Sequence, residues 1–563
     1  MKTQDLTTRR ALIRHRGSTV ACVAIGAATV VLVLLFSVDP ILSLLSKSIG
    51  SSFGRVLANN QQIVWNSIAA GVATAVISTA LALAISLRVA FSSSKLRGIV
   101  LALVFASIIS PPFVSSLAYV ELFGRRGLIT HELLGLSISP YGPVGVVVMQ
   151  SVFFCAINVL LLLSTIRNID PAVLDAARDV GASSSQVVSQ VVLPLTWPSV
   201  GACLLLTFIR SLADYGTPIV IGGSFETIST AIYEQVVGYS DLATSAVLGV
   251  LLCGIAIVVY AGYAMLIARS RKRVAGTATS AFEMLGDRRS APMRLRGVLG
   301  VVCGIVCFAF IAFMILQYAT IVRASLTAGI SWKASFTTAN YDHLVEYQAT
   351  PLARSVGFAL LAAAVATVLG FLCAYLQEQG RRGRGPARKA QALLGFAVTM
   401  PYMLPGTCLG LGYILAFNAA PLKLTGTGVI IVLVLAFKEL AISQQAFSNE
   451  IAQLDPHLEE AARDAGATKF ASALRIAVPS VRRAAAVSFM NAFTSAMVAY
   501  GAVLFLITPS NKTAIFELFD ALSSGKYGQA AATSVVIVAI TLAVDAVLGF
   551  LFLKRRRRAH GDD

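Results

Sequence analysis

The chain has 563 residues, of which 56% are hydrophobic and 13% charged, and its formal net charge is +18. Soluble domains carry roughly 25% charged residues, so this composition excludes an ordinary soluble fold and points to a membrane protein. The basic balance raises nucleic-acid binding as a reading, which the placement of the charges replaces.

Apolar runs of about 20 residues, the length a spanning helix needs, recur along the chain without the period-two alternation of barrel strands. About twelve spans follow in order, near residues 20–42, 63–87, 99–120, 143–163, 199–221 and 243–268, then 298–320, 355–377, 391–416, 427–446, 484–507 and 531–553. The expected class is an all-α integral membrane protein. The first span follows a basic segment, and "FSVDPILSLLS" offers no clear small-residue cleavage site, so a retained signal anchor is expected. Proline pairs interrupt the third span, as "SPPFVSS" at Ser110 to Ser116, and the ninth, as "MPYMLPG" at Met400 to Gly406. Helix kinks are expected there, with half-helix ends that face the cargo as the alternative.

Lys and Arg cluster in "TTRRALIRHR", "SRKRVAG", "DRRSAPMRLR", "RRGRGPARK" and "KRRRRAH". With both termini cytoplasmic, all of these clusters fall on the inner face of twelve spans, as the positive-inside rule requires. The charge therefore orients the chain in lipid and calls for no nucleic acid. The expected location is a bacterial inner membrane, crossed many times. The eight cysteines lie in apolar spans with no CxxC pair and read as small hydrophobes. The five histidines form no ligand cluster, so no metal site, cofactor or catalytic residue is expected.

One polar stretch occurs twice. "DAARDVGASSSQVVSQVVLP", residues 175–194, returns as "EAARDAGATKFASALRIAVP", residues 460–479. Asp170-Pro171 matches Asp455-Pro456, Gly181 matches Gly466, Pro194 matches Pro479, and Tyr215-Gly216 matches Tyr500-Gly501, always 285 residues apart. A constant offset over such a length marks a tandem duplication with both copies in the same orientation. It divides the chain into halves 1–280 and 281–563, six spans each, with polar loops at 170–194 and 455–479 and a basic tether near 269–296. In each loop an Asp caps a short helix whose first residue is Pro. Gly181 and Gly466 stand where a left-handed residue would end that helix, and a second short helix would run to Pro194 or Pro479.

The order Glu/Asp-Ala-Ala, three residues, Gly, nine residues, Ile/Val, one residue, Leu/Val-Pro resembles the EAA loop of permease subunits in binding-protein-dependent ABC importers. The second copy matches through Glu460, Ala461, Ala462, Gly466, Ile476 and Pro479. The first matches through Ala176, Ala177, Gly181, Val191, Leu193 and Pro194, with Asp175 in place of the usual glutamate. The resemblance implies that each loop docks into a cytoplasmic ABC ATPase, two copies in all, and that an extracytoplasmic binding protein delivers the cargo. ATP would bind the partner, since no G-x-x-x-x-G-K-[ST] phosphate loop occurs in this chain and "SSGKYG" around Lys526 lacks the first glycine. The segment "LADYGTPIVIGGSFETISTAIYEQVVG" resembles ferric-iron permeases, with phosphonate permeases of the 2-aminoethylphosphonate type next. A ferric cargo is therefore expected, with phosphonate or another small solute as the alternative.

Charged and polar groups inside spans are the candidates for the cargo path. Arg210 and Asp214 lie four residues apart, where they share a helix face and are expected to pair. Tyr215 follows them, and the corresponding segment of the second half offers Asn491, Thr494, Ser495 and Tyr500 but no charge, so an asymmetric path is expected. Lys438-Glu439 is expected as an interfacial pair at the inner end of the tenth span. An ion-coupled secondary transporter would share twelve spans in two related halves, but it would leave two docking loops unexplained, and no series of intramembrane carboxylates suits a proton relay.

Overall fold

In lipid every backbone N–H and C=O must be satisfied within the segment, so the apolar runs become helices. A computed structural model describes residues 20–49, 53–125, 127–136, 139–271, 295–329, 334–382 and 386–553. The basic segments at both termini and most of the expected tether lie outside the described residues. Among the described residues nine helices are long and apolar enough to cross a membrane, and two sharply bent pairs raise the number to 11. A further helix, Arg482–Val498, has 17 residues. It reaches about 26 Å at 1.5 Å per residue, and the expected span 484–507 stops being helical there.

The bent pairs differ from the expected kinks. Ser94–Ile109 meets the following helix at 105°, and the second pair turns by 112° between Met403 and Gly406. Ser110 and Pro111 are extended, with ψ of 139° and 145°, and Pro405 is extended with ψ 139°. A residue before proline is pushed out of the helical region and proline itself gives no N–H, so the chain turns a corner rather than bending.

The same three-helix packing appears twice. Gln61–Ala90 packs on Pro143–Arg167 and on Leu193–Ala213, while Ala349–Arg382 packs on Gly428–Ile451 and on Arg482–Val498. Small and polar residues let these helices approach. Asn158 donates to Ser78 Oγ at 3.1 Å and to Thr207 Oγ1 at 2.7 Å. A Cβ on Gly370 would stand 2.7 Å from Ser443 Cβ, so only glycine allows that contact.

Two long helices cross between the expected halves. Val20–Ile49 packs on Gly406–Ala416, where Tyr413 Oη donates to the Phe36 carbonyl at 2.7 Å. Gly297–Ser325 packs on Gln61–Ala90 and Pro112–Phe123, where Tyr318 Oη and Ser110 Oγ share a hydrogen bond of 2.9 Å. One crossing helix is thereby tied to the proline corner at Ser110 and the other to the helix that follows the corner at Pro405.

Candidate functional site

The two polar loops are built alike. Asp170 Oδ1 accepts from the Ala172 N–H and Asp455 Oδ1 from the His457 N–H, both at 3.0 Å, and helices Pro171–Asp179 and Pro456–Asp464 follow. Gly181 and Gly466 have φ of +89° and +84°. The chain reverses there with Ala182 N donating to Ala177 O at 3.1 Å and Ala467 N to Ala462 O at 2.9 Å, the six-to-one bond of a Schellman ending. A Cβ on either glycine would meet nothing within 4 Å, so each turn presents an open surface.

Both helices also leave apolar side chains uncovered. Val173 and Val180 are 45% and 85% exposed, and Leu458 is 50% exposed. The opposite face of the first loop, with Leu174, Ala177 and Ala182, packs on a small core that includes Val187, Val188 and Val192. After the turn the first copy departs from the expected short helix and the second follows that expectation. The first runs unbroken as Ser184–Ala213, passing Pro194 through a wide turn at Val188–Val192. A π-turn absorbs the hydrogen bond that Pro194 cannot give. The second breaks at Val481 just after Pro479, and a new helix starts at Arg482. Asp175 makes only an exposed contact of 3.5 Å with Arg178, worth little. Ala176, Ala461 and Gly466 are exposed, and the first loop is thus carried by a helix of roughly 45 Å.

At the far end of that helix lies a cavity of about 420 Å³. Every candidate named for the cargo path lines it: Arg210, Asp214, Tyr215, Asn491, Ser495 and Tyr500. Both proline corners contribute, through Ser110 and Pro112 and through Leu404 and Pro405. The breaks expected as simple kinks therefore shape a chamber.

Two expectations about the charges are corrected. Arg210 and Asp214 do not pair: the helix ends at Ala213, and Asp214, extended with ψ 115°, leaves the shared face. Its carboxylate accepts instead from Gln150 Nε2 at 2.9 Å and from the Thr217 N–H at 3.3 Å. Lys438 and Glu439 are not at an interface but line the same cavity. Glu439 is 5% exposed and accepts from Ser495 Oγ at 2.6 Å and Asn491 Nδ2 at 3.2 Å. The second half thus brings charge after all, from a helix the repeat does not flag: position 439 matches Phe154 at the 285-residue offset, and an apolar counterpart hides the signal.

Gln150 is the residue that sequence reading missed most plainly. It is 1% exposed, and its Oε1 accepts from Ser211 Oγ at 2.6 Å and Thr74 Oγ1 at 3.2 Å while its Nε2 serves Asp214. Gln150→Leu keeps the volume and strands all of these groups, each costing about 1–3 kcal/mol. The expected result is a thermal unfolding midpoint several degrees lower for the purified chain, and an unchanged midpoint would show that the network carries no stability.

Aromatic rings cluster at Tyr215 and Tyr500, on the side of the cavity away from the polar loops. Tyr215 and Tyr500, equivalent by the repeat, stack at 5.6 Å with an interplanar angle of 13°. Phe113 stands edge-on to Tyr500 at 4.7 Å, and Phe516 and Phe519 lie 4.6 Å and 5.1 Å from it. Such pairs add roughly 0.5–1.5 kcal/mol each beyond burial. The helix Ala514–Ser523 that carries the last two rings is pinned by Lys512, whose ammonium lies 3.1 Å from Glu517 and 2.5 Å from Asp520. Partial burial opposes that charge, but the hydrogen bonds to Asp520 and Glu517 outweigh it and raise the Lys512 pKa above the ordinary lysine value.

Residues 77–272 match the family described as binding-protein-dependent transport system inner membrane component. Over 455 residues the chain is 29% identical to the ferric transport system permease protein FbpB of Actinobacillus pleuropneumoniae, covering 78% of this chain and 63% of that protein. It is also 29% identical over 421 residues to FbpB 1 of Haemophilus influenzae, likewise named for ferric transport, covering 72% and 64% of the two chains. PhnV of Salmonella typhimurium, whose name assigns it to 2-aminoethylphosphonate transport, is 26% identical over 257 residues, which are 44% of this chain and 91% of PhnV. The chain thus spans somewhat under two thirds of the length of the two ferric relatives. All three are transport permeases rather than enzymes.

Proposed function

We propose that this chain, whose residues 77–272 match the family described as binding-protein-dependent transport system inner membrane component, is a multi-pass permease that forms the whole translocation path of an ATP-driven importer. The observation that carries this reading is the pair of short, apolar-faced helices with matching caps and glycine turns, one joined by an unbroken helix to the cavity wall. Asp175, Ala176, Ala177, Gly181 and Pro194 form one docking loop, and Glu460, Ala461, Ala462, Gly466 and Pro479 form the other. Each loop meets one of two cytoplasmic ATPase subunits, which bind and hydrolyse the ATP. When the ATPases close, the Ser184–Ala213 helix carries the motion to Asp214 and Tyr215 and opens the aromatic seal to cargo delivered by an extracytoplasmic binding protein.

In this reading 1–280 and 281–563 are the two functional halves, with both termini cytoplasmic, and one copy of the chain suffices per complex. Ferric iron is the cargo we favour, because two relatives that cover most of the chain carry that name. Phosphonate is the second reading, supported by the match to nearly all of PhnV. The test is mild-detergent purification of the tagged chain from its native membrane with identification of what comes with it. An ATPase at two copies per chain is the expected result. A folded chain that brings none in several detergents would turn attention to ion-coupled transport.

A further inference from the structure

We propose that the central cavity receives its cargo as an oxyanion, either free or as the outer layer of a ferric complex, and that Arg210 and Lys438 are the groups that hold it. The inference rests on the importer reading and names what passes through its path.

Four charged side chains line the cavity, and they are not equivalent. The two carboxylates are already occupied: Asp214 by Gln150 and the Thr217 N–H, Glu439 by Asn491 and Ser495. Arg210 and Lys438 make no hydrogen bond or ion pair with any described residue. They come from different halves and line the same cavity, where Lys438 stands beside Glu439 in sequence and also senses the Arg210 charge. Two like charges facing one cavity repel, and leaving their donors unpaired at half-buried positions is costly. An anion between them would relieve both costs, and charge-assisted bonds from Arg and Lys to oxyanions are among the strong ones. Tyr215 and Tyr500, 2% and 4% exposed, bring their hydroxyls together, with Tyr233 beside Tyr215. They stand at the aromatic end of the same cavity as further donors.

A bare trivalent cation asks for the reverse. It needs several hard anionic oxygens free to coordinate, and among the described residues no group of three or more His, Cys, Asp or Glu side chains is placed to hold a metal ion. Its charge would also meet two cationic walls. Ferric ion sheathed by an oxyanion presents the opposite sign to those walls, so a ferric cargo and this cavity are compatible only when the anion travels with the metal. The volume, about 420 Å³, falls within the range of small-ligand pockets.

The experiment uses the purified full chain in lipid nanodiscs. Thermal unfolding is followed against methylphosphonate, inorganic pyrophosphate and chloride at equal ionic strength, and binding is followed with ferric pyrophosphate labelled on iron and on phosphorus. Oxyanions should raise the midpoint where chloride does not, since a ligand of the folded state stabilises it. Arg210→Gln and Lys438→Gln should each weaken the oxyanion roughly tenfold or more, as loss of a charge-assisted hydrogen bond predicts. Arg210→Lys, which keeps the charge, should restore most of the affinity, and Glu439→Gln should strengthen it. Retention of both labels in constant ratio assigns the ferric complex, and retention of phosphorus without iron assigns the free anion. Oxyanions no better than chloride in the wild type, unchanged affinity in Arg210→Gln and Lys438→Gln, or iron retained without its anion would each overturn the proposal. Because the chain is tested without an ATPase, failure of the importer reading appears separately, in the purification experiment.

Discussion

Gly181→Asp and Gly466→Asp are each expected to leave the protein in the membrane at normal levels and to cut cargo uptake roughly a hundredfold. Both glycines hold a left-handed φ, +89° and +84°, and both face open space. Aspartate is among the few other side chains that visit the left-handed region, at a local strain of about 1–2 kcal/mol, which an exposed turn can bear without unfolding the chain. What changes is the surface beyond it: a carboxylate now projects where the ATPase groove would close, beside the exposed Val180 in the first loop. Burying an unpaired charge in an interface costs about 2–5 kcal/mol, and each 1.4 kcal/mol is tenfold. Uptake and ATPase copurification should fall together while the thermal midpoint of the chain stays near the wild type. Normal uptake by both variants would remove the loops from the coupling mechanism.

The second large effect concerns the seal. Tyr215→Ala combined with Tyr500→Ala removes the stacked pair at the centre of the aromatic cluster and should raise passive flux of a small solute through proteoliposomes of the chain alone at least tenfold. Phe113, Phe516 and Phe519 all pack on Tyr500, and Phe519 also packs on Tyr215, so loss of both tyrosines leaves Phe113 and Phe519 with only each other in this ring cluster. Truncating large buried aromatics costs roughly 3–5 kcal/mol in a core, so folding must be checked by the elution profile and thermal midpoint. Tyr215→Phe with Tyr500→Phe keeps the rings and should keep the seal. Flux equal to the wild type in the folded alanine double variant would show that the cavity is closed elsewhere.

Much of the architecture was legible because lipid leaves few choices. Long apolar runs can only be helices, prolines mark where those helices stop, and a cap, a first-turn proline and a terminal glycine define a short helix from a dozen residues. The duplicated loop was visible because its turn needs glycine and its surface needs small residues, so Ala176, Ala177, Gly181 and their partners at Ala461, Ala462 and Gly466 carry a local signal. The cavity was half legible. Arg210 and Asp214 stood out as charges in a span, and Tyr215 and Tyr500 through the repeat, whereas Gln150, Lys438 and Glu439 did not, since their importance depends on helices far away in the chain.

By itself the sequence determined the helical membrane class, most of the spans and the two matching polar loops, all of which rest on interactions between residues close together in the chain. Tertiary structure alone decided that Asp214 turns from Arg210 to Gln150, that Glu439 meets Asn491 and Ser495, and that Arg210 and Lys438 share one cavity with their donors unspent. The reason is physical: a charge in lipid must find a partner, and which partner it finds depends on how helices from the two halves pack, not on spacing along any one of them.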